Sequence, residues 1–178
     1  FRSGGPGGEI GGHFARTSQI NYFADIDIGG SLSLDHVISG EGEFIVTNPT
    51  NFNNGIQVGH FSVSDVPRSF IGWQIAEPSG GSGYRFMAQL ILADGTVLRS
   101  NTPLRVINAL NTPFTWSYRF DPVAGTSGSG QLTFTLLSGT TVVGTTSVEL
   151  TTAQRAIGAS FDAFGVSTPP SDRKSTRL

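Results

Sequence analysis

The stretch from Phe114 to Phe120, which reads FTWSYRF, is the clearest strand signal in the chain. Its aromatic residues alternate with Thr, Ser and Arg, so an extended segment would have one apolar and one polar face. A second alternating stretch, from Leu132 to Leu136, follows a glycine-rich connection and predicts the next strand. Two such apolar faces have to be buried against another layer.

Similar short runs recur on both sides of this stretch, from Glu9 to Val166, between turn residues. Helix is predicted only for Thr151–Ala156, where Thr151 and Gln154 have capping-box spacing. About ten short strands with almost no helix predict an all-β fold, a two-sheet antiparallel jelly-roll sandwich. The predicted strands are Glu9–Arg16, Ile20–Ala24, Gly42–Thr47, Gly55–Val63, Phe70–Glu77, Tyr84–Leu92, Thr96–Arg99, Phe114–Phe120, Leu132–Leu136, Thr141–Leu150 and Ile157–Val166.

The 178 residues fit one domain with a single core. We expect a flexible glycine-rich lead over residues 1–8, one β-sandwich domain over residues 9–170, and a disordered, non-native tail over residues 171–178. The tail holds the only lysine, Lys174, with Arg173 and Arg177, so the rest of the chain is more acidic than the net charge of -2 indicates. Because nucleic acids and anionic membranes are bound through clustered basic residues, neither is an expected partner.

Several chemistries are excluded or disfavoured by composition. The chain has no cysteine, which excludes disulfides, thiolate nucleophiles and thiolate metal sites. No apolar run approaches the ~20 residues of a membrane-spanning helix, so membrane insertion is not expected. Two carboxylate pairs, Asp25 with Asp27 and Glu41 with Glu43, could share a strand face, but both lie beside turn residues and are interpreted as solvated strand ends. No catalytic residue is predicted.

Six short motifs follow one another in the order EIGG (9–12), GHF (59–61), GYRFM (83–87), WSYRFDP (116–122), GQLTFTL (130–136) and GASFDAFG (158–165). In this order they resemble a group of bacterial extracytoplasmic proteins of mostly unassigned function, which is similar to the concanavalin A-like lectin/glucanase superfamily with its LamG-like jelly roll. The resemblance implies a concanavalin A-like sandwich, a bacterial extracellular or cell-surface location, and carbohydrate binding.

Three departures from that group bear on function. His60 stands where the group commonly has Trp, and Ala163 stands where it has a basic residue. The group continues into a further strand, so we expect the closing C-terminal strand to be missing here. Relatives that hydrolyse β-glucans carry Glu-x-Asp-x-(x)-Glu on one strand, and this chain has no such triplet.

The predicted ligand-binding residues are His60, Trp73, Gln74, Arg85 and Gln89. If Phe86 points into the core, then Arg85 and Gln89 point outward on the same strand, Gln74 can share that outward surface, and His60 could join it. Arg, His and Gln offer planar donors to sugar hydroxyls. Trp73 is either a stacking platform or a core residue, and the alternative for the whole surface is an ordinary polar sheet face.

No metal ligand is predicted. The three histidines are too dispersed for a zinc motif. Calcium is the more plausible ion, because loop aspartates supply oxygen ligands, and the alternative for Asp121 and Asp162 is that they hold turns. The aspartates in question are Asp25, Asp27, Asp121 and Asp162.

Three function classes follow. The first is a non-catalytic carbohydrate-binding or adhesion module of an extracellular bacterial protein, with an oligo- or polysaccharide as partner. The second is a structural, surface-displayed sandwich without a small ligand. The third is a degenerate carbohydrate-active enzyme. The sequence leaves the glycan and the oligomeric state open.

Overall fold

The computed structural model describes residues 2–3, 10–11, 22–46, 55–64, 68–76, 83–107 and 111–168. Within these ranges the chain is all-β, as predicted, with one short helix, α1 (Thr152–Ile157). The strands are β1 (Arg2–Ser3), β2 (Ile10–Gly11), β3 (Tyr22–Asp25), β4 (Leu32–Ser33), β5 (Ile38–Ile45), β6 (Ile56–Phe61), β7 (Phe70–Ala76), β8 (Tyr84–Ile91), β9 (Val97–Arg99), β10 (Leu104–Val106), β11 (Pro113–Asp121), β12 (Gln131–Ser138), β13 (Thr141–Glu149), β14 (Ser160–Phe161) and β15 (Ala163–Ser167).

Two antiparallel sheets make up the body. The larger has seven strands in the order β10-β8-β7-β6-β15-β3, with β9 also pairing with β8, and the smaller has four in the order β13-β12-β11-β5. Two-stranded ribbons, β1 with β2 and β14 with β4, complete the pairing. All these pairs are antiparallel.

The two large sheets pack face to face over one continuous apolar core. In β11, Phe114, Trp116, Tyr118 and Phe120 are all buried in this core, which confirms the predicted direction of that strand. The facing side chains of the larger sheet come from alternate positions of β7 and β8, such as Trp73. This arrangement removes the aromatic face of each sheet from water, which is the main favourable term in folding.

The helix α1 begins as the sequence predicts. The Thr151 hydroxyl accepts a hydrogen bond from the Gln154 backbone N–H, and the Gln154 side chain accepts one from the Thr151 N–H. Arg155, in its last turn, donates to Asp35 at 2.8 Å and lies 5.8 Å from the Phe120 ring centroid. The helix therefore covers one end of the core.

Part of the outer face of the seven-stranded sheet is buried as well. Phe61, Phe70, Ile91 and Ala163 form a second apolar cluster there. Beside this cluster, Gly165, Gly59 and Gly72 lie opposite one another on β15, β6 and β7, and we call them the glycine row. A Cβ atom at any of the three would overlap the backbone of the neighbouring strand. Only glycine is compatible with such close strand contact.

Some predictions fall outside the described residues, among them most of the lead over residues 1–8, most of the strand over residues 9–16, and the tail over residues 171–178. Within the described ranges, no helix is long and apolar enough to cross a membrane. Three short strands were not predicted, β1, β4 and β10, and β1 lies within the lead over residues 1–8 that is predicted to be flexible. The missing closing strand stays a prediction.

Candidate functional site

His60 lies between the two sheets and not on the predicted outward surface. Its Cα partner on β7 is Ile71, a core residue, and its Nδ1 is 2.5 Å from the Tyr118 hydroxyl on β11. Its ring centroid is 4.9 Å from that of Phe164, and the residue is only 9% exposed. The prediction that His60 joins a glycan surface is therefore wrong, since the side chain links the sheets inside the sandwich.

Burial sets the charge state of this pair. Removal of the imidazole from water lowers the pKa of His60 from 6.5 to about 4, because the charged ring loses its hydration. Burial likewise raises the pKa of Tyr118 above its ordinary value. Both groups are thus neutral near pH 7, and their hydrogen bond connects two uncharged rings.

A pH dependence of stability follows from the lowered pKa of His60. Above pH 6.5 the ring is neutral in both the folded and unfolded chain, so the folded state keeps its full stability. As the pH falls toward 4, the unfolded chain binds a proton that the folded chain excludes, and we expect a loss of roughly 2 kcal/mol. Urea unfolding at a series of pH values measures this loss.

The matched comparison separates His60 from the carboxylates that titrate in the same range. His60→Gln keeps those carboxylates and should flatten the difference between pH 6.5 and pH 4 by the part that His60 contributes. An unchanged pH profile in His60→Gln would contradict the assignment.

Trp73 is a core residue and cannot serve as a sugar platform. It is 1% exposed, and its ring stacks on that of Phe134 with the centroids 5.3 Å apart. The rings of Phe44 and Trp116 lie at 5.3 Å and 5.5 Å. The alternation along β7 explains this, because Ile71 and Ile75 enter the same core.

Gln74, Arg85 and Gln89 do share the outer face of the seven-stranded sheet, as predicted. However, Gln74 and Gln89 are 4% and 0% exposed, so neither amide is available to a glycan in solution. Arg85 is half-buried, and its Nε is buried without a hydrogen-bond partner among the described residues. The five predicted residues are therefore divided between two faces, and only Arg85 is accessible.

A more extended accessible polar surface lies on the outer face of the four-stranded sheet. An open groove of about 720 Å³ runs across β5, β11 and β12. Its lining includes Glu41, Ser117, Arg119, Asp121, Gln131 and Thr135. Their Cα register places them side by side, with Glu41 opposite Ser117 and Ser117 opposite Thr135.

Two of the three charged groups of this groove are free to meet a ligand. Glu41 and Arg119 are exposed, and neither side chain has a hydrogen bond or an ion pair with any described residue, whereas the Asp121 carboxylate accepts from the Val123 N–H. Around them are hydroxyl and amide groups, which donate and accept hydrogen bonds. Tyr118 is the one aromatic residue of the lining, but its ring faces the core. The groove is thus a hydrogen-bonding surface without a stacking ring.

The sequence interpretation missed this groove because of two glycines. The sequence interpretation places Glu41 at a solvated strand end, because it lies beside the turn signal at Gly40 and the predicted strand begins at Gly42. Both glycines are in the middle of β5, where a Cβ atom would lie 2.7 Å from the Tyr118 ring and 2.9 Å from the Trp116 ring. The inward positions of β5 are small because the rings of β11 fill that space.

Three of the four loop aspartates, Asp25, Asp121 and Asp162, accept hydrogen bonds from backbone N–H groups. Asp25 accepts from the Asp27 N–H, Asp121 from the Val123 N–H, and Asp162 from the Val63 N–H at 2.8 Å. Asp162 also accepts from the Ser64 hydroxyl at 3.0 Å. Among the described residues, no group of three His, Cys, Asp or Glu side chains could hold a metal ion. Of these contacts, that of Asp121 with Val123 matches the turn interpretation.

Comparisons of the chain with protein-family models, curated proteins and solved structures find no match. The resemblance to the concanavalin A-like superfamily therefore stays a prediction. The function has to be argued from the geometry of the groove and from the charges on the two sheets.

Proposed function

We propose that the chain is a non-catalytic carbohydrate-binding or adhesion module of an extracellular bacterial protein, built as a concanavalin A-like jelly roll. The outer face of the four-stranded sheet is its glycan-binding surface. The observation that carries the proposal is the open groove of about 720 Å³, whose size is within the range of small-molecule sites. The bacterial and extracellular part rests on the sequence resemblance alone.

The chemistry of the groove supports a glycan of neutral sugars. A sugar presents hydroxyl groups that donate and accept, and the lining offers a guanidinium at Arg119, a carboxylate at Glu41 and an amide at Gln131. The hydroxyls of Thr133 and Thr135 extend this surface along β12. Because no ring stacks on the ligand, we expect weak affinity.

The structural alternative, a sandwich without a small ligand, is favoured by one observation. The described lining has no aromatic side chain pointing into the groove, whereas aromatic side chains are common in ligand sites. The degenerate enzyme needs two carboxylates at a suitable distance. Glu41 and Glu43 are on one face of β5, and a turnover assay is the test for that function.

Arg119→Ala should weaken binding of a neutral oligosaccharide at least tenfold without a loss of stability. The side chain is exposed, so the fold does not need it, while a hydrogen bond to a charged group is worth about 1.5 kcal/mol or more. A screen of neutral plant, algal and microbial glycans selects the ligand, and calorimetric titration measures the affinity.

The control is Arg105→Ala, which removes an exposed arginine from the other sheet and should leave neutral-glycan binding unchanged. Binding that survives Arg119→Ala would place the site elsewhere. If the wild type binds no glycan of the screen, the structural alternative is favoured, and release of reducing ends from a polysaccharide would identify an enzyme.

A further inference from the structure

Three arginines lie together on the outer face of the seven-stranded sheet, whereas the groove lies on the four-stranded sheet. Arg85 on β8 and Arg105 on β10 are direct Cα partners, and Arg99 on β9 is the partner of Gln89, four residues along β8. We call these three residues the arginine edge. Their neighbours Leu98, Leu104 and Phe86 face the core, so alternation points the arginines outward.

None of the three guanidinium groups is neutralised within the described residues. No hydrogen bond or ion pair joins any of them to a described side chain. The ion pair that the described residues do form joins Arg155 of α1 to Asp35. Asp94, in the turn between β8 and β9, accepts instead from the backbone and hydroxyl of Thr96. The edge is therefore a concentrated positive charge on an otherwise acidic chain.

Two features of Arg85 indicate that an anion belongs there. Like charges directly opposite each other on paired strands are destabilising, and Arg85 faces Arg105 in this way. In addition, the Nε of Arg85 is buried with no acceptor among the described residues. A buried donor left unpaired is costly, so the guanidinium of Arg85 gains little from the protein itself, and a carboxylate or sulfate bound at its accessible end would reduce the repulsion with Arg105.

We propose that the arginine edge binds the carboxylate or sulfate groups of an acidic polysaccharide. The planar fork of each guanidinium matches such groups with two parallel hydrogen bonds. Along β8 the two ends of the edge are about 13 Å apart, which suits charges spaced over a few sugar units. This site shares no residue with the groove and does not depend on it.

The spacing and the net charge favour an acidic glycan over a nucleic acid. Nucleic acids carry one charge at every backbone step, and their binding depends on many cationic contacts. Three arginines on an acidic body would neutralise few phosphates and repel the rest. A sparsely charged polymer meets the same three groups with less repulsion.

The test compares wild type with the double variant Arg99→Ala/Arg105→Ala, both positions being exposed, in titrations with neutral galactan, single-stranded DNA and polygalacturonate that is methyl-esterified on most of its sugar units, so that its free carboxylates are sparse. We expect polygalacturonate to bind best, with a log-log salt slope of about -2 to -3, and the double variant to bind it at least tenfold more weakly. Arg119→Ala, the matched control in the groove, should bind it like wild type.

Three results would overturn the proposal. They are equal binding of wild type and double variant, tighter binding of DNA than of polygalacturonate, and loss of polygalacturonate binding in Arg119→Ala alone. The groove is tested with neutral glycans and the arginine edge with charged ones. Failure of one proposal can therefore be distinguished from failure of the other.

Discussion

Trp73→Ala should lower the free energy of unfolding by about 4 kcal/mol, the largest single loss we expect in this chain. The indole is 1% exposed and has ring contacts with Phe44, Phe86, Trp116 and Phe134 from both sheets. Removing it leaves a cavity at the centre of the sandwich that the surrounding rings cannot fill. Chemical denaturation, followed by circular dichroism, measures the loss.

Trp73→Phe is the matched control, because it keeps a ring in the same space and should cost less than Trp73→Ala. In the folded fraction of either variant, binding to a neutral glycan should be that of wild type. A Trp73→Ala protein with an unchanged unfolding midpoint and lost glycan binding would place the ring on the surface and would contradict the core assignment.

Gly59→Ala should cost about 3 kcal/mol. A Cβ atom there would overlap the carbonyl oxygen of Ile71 on the paired strand, and the residue has a φ of +156°, which side chains rarely adopt. Its direct partner Gly72 has the same constraint, so β6 and β7 cannot move apart locally without loss of ladder hydrogen bonds. Thermal and urea unfolding of the variant test this expectation.

Gly139→Ala isolates the backbone contribution. Gly139 also has a positive φ, +59°, but nothing lies within 4 Å of the added methyl group. Its substitution should cost only about 1 kcal/mol. If the two variants lose the same stability, the close approach of β6 and β7 makes Gly59 no more costly to replace than an uncrowded glycine with a positive φ, which would contradict the expectation.

Strands with one wet face could be predicted from the sequence. In β11 and β12 the apolar residues alternate strictly with polar ones, and the core side of both strands was assigned correctly. The helix was found through Thr151 and Gln154, a local signal that needs no tertiary information. The direction of Arg85 was correct for the same reason, since Tyr84 and Phe86 flank it.

The candidate site could not be predicted in the same way. β7 is buried on both faces, so apolar residues occupy both faces of its sequence FIGWQIA. The alternation of apolar and polar residues therefore does not show that Trp73 faces the core. The direction of His60 depends on which residue of β7 lies opposite it, and pairing register is not visible in a single strand. The burial of Gln89 likewise depends on what covers the outer face of the seven-stranded sheet. The alternation of residues along β8 gives no information about that cover.

The pairing of β5 with β11 has a kinetic consequence. Five strands of the other sheet lie between them along the chain, yet they pair directly, with β5 as an edge strand of the smaller sheet. The entropy of closing that long loop is lost before any contact energy is gained, so the step that joins Gly42 to Trp116 comes late. Until then the aromatic face of β11 stays open to water, and self-association competes with folding during that interval.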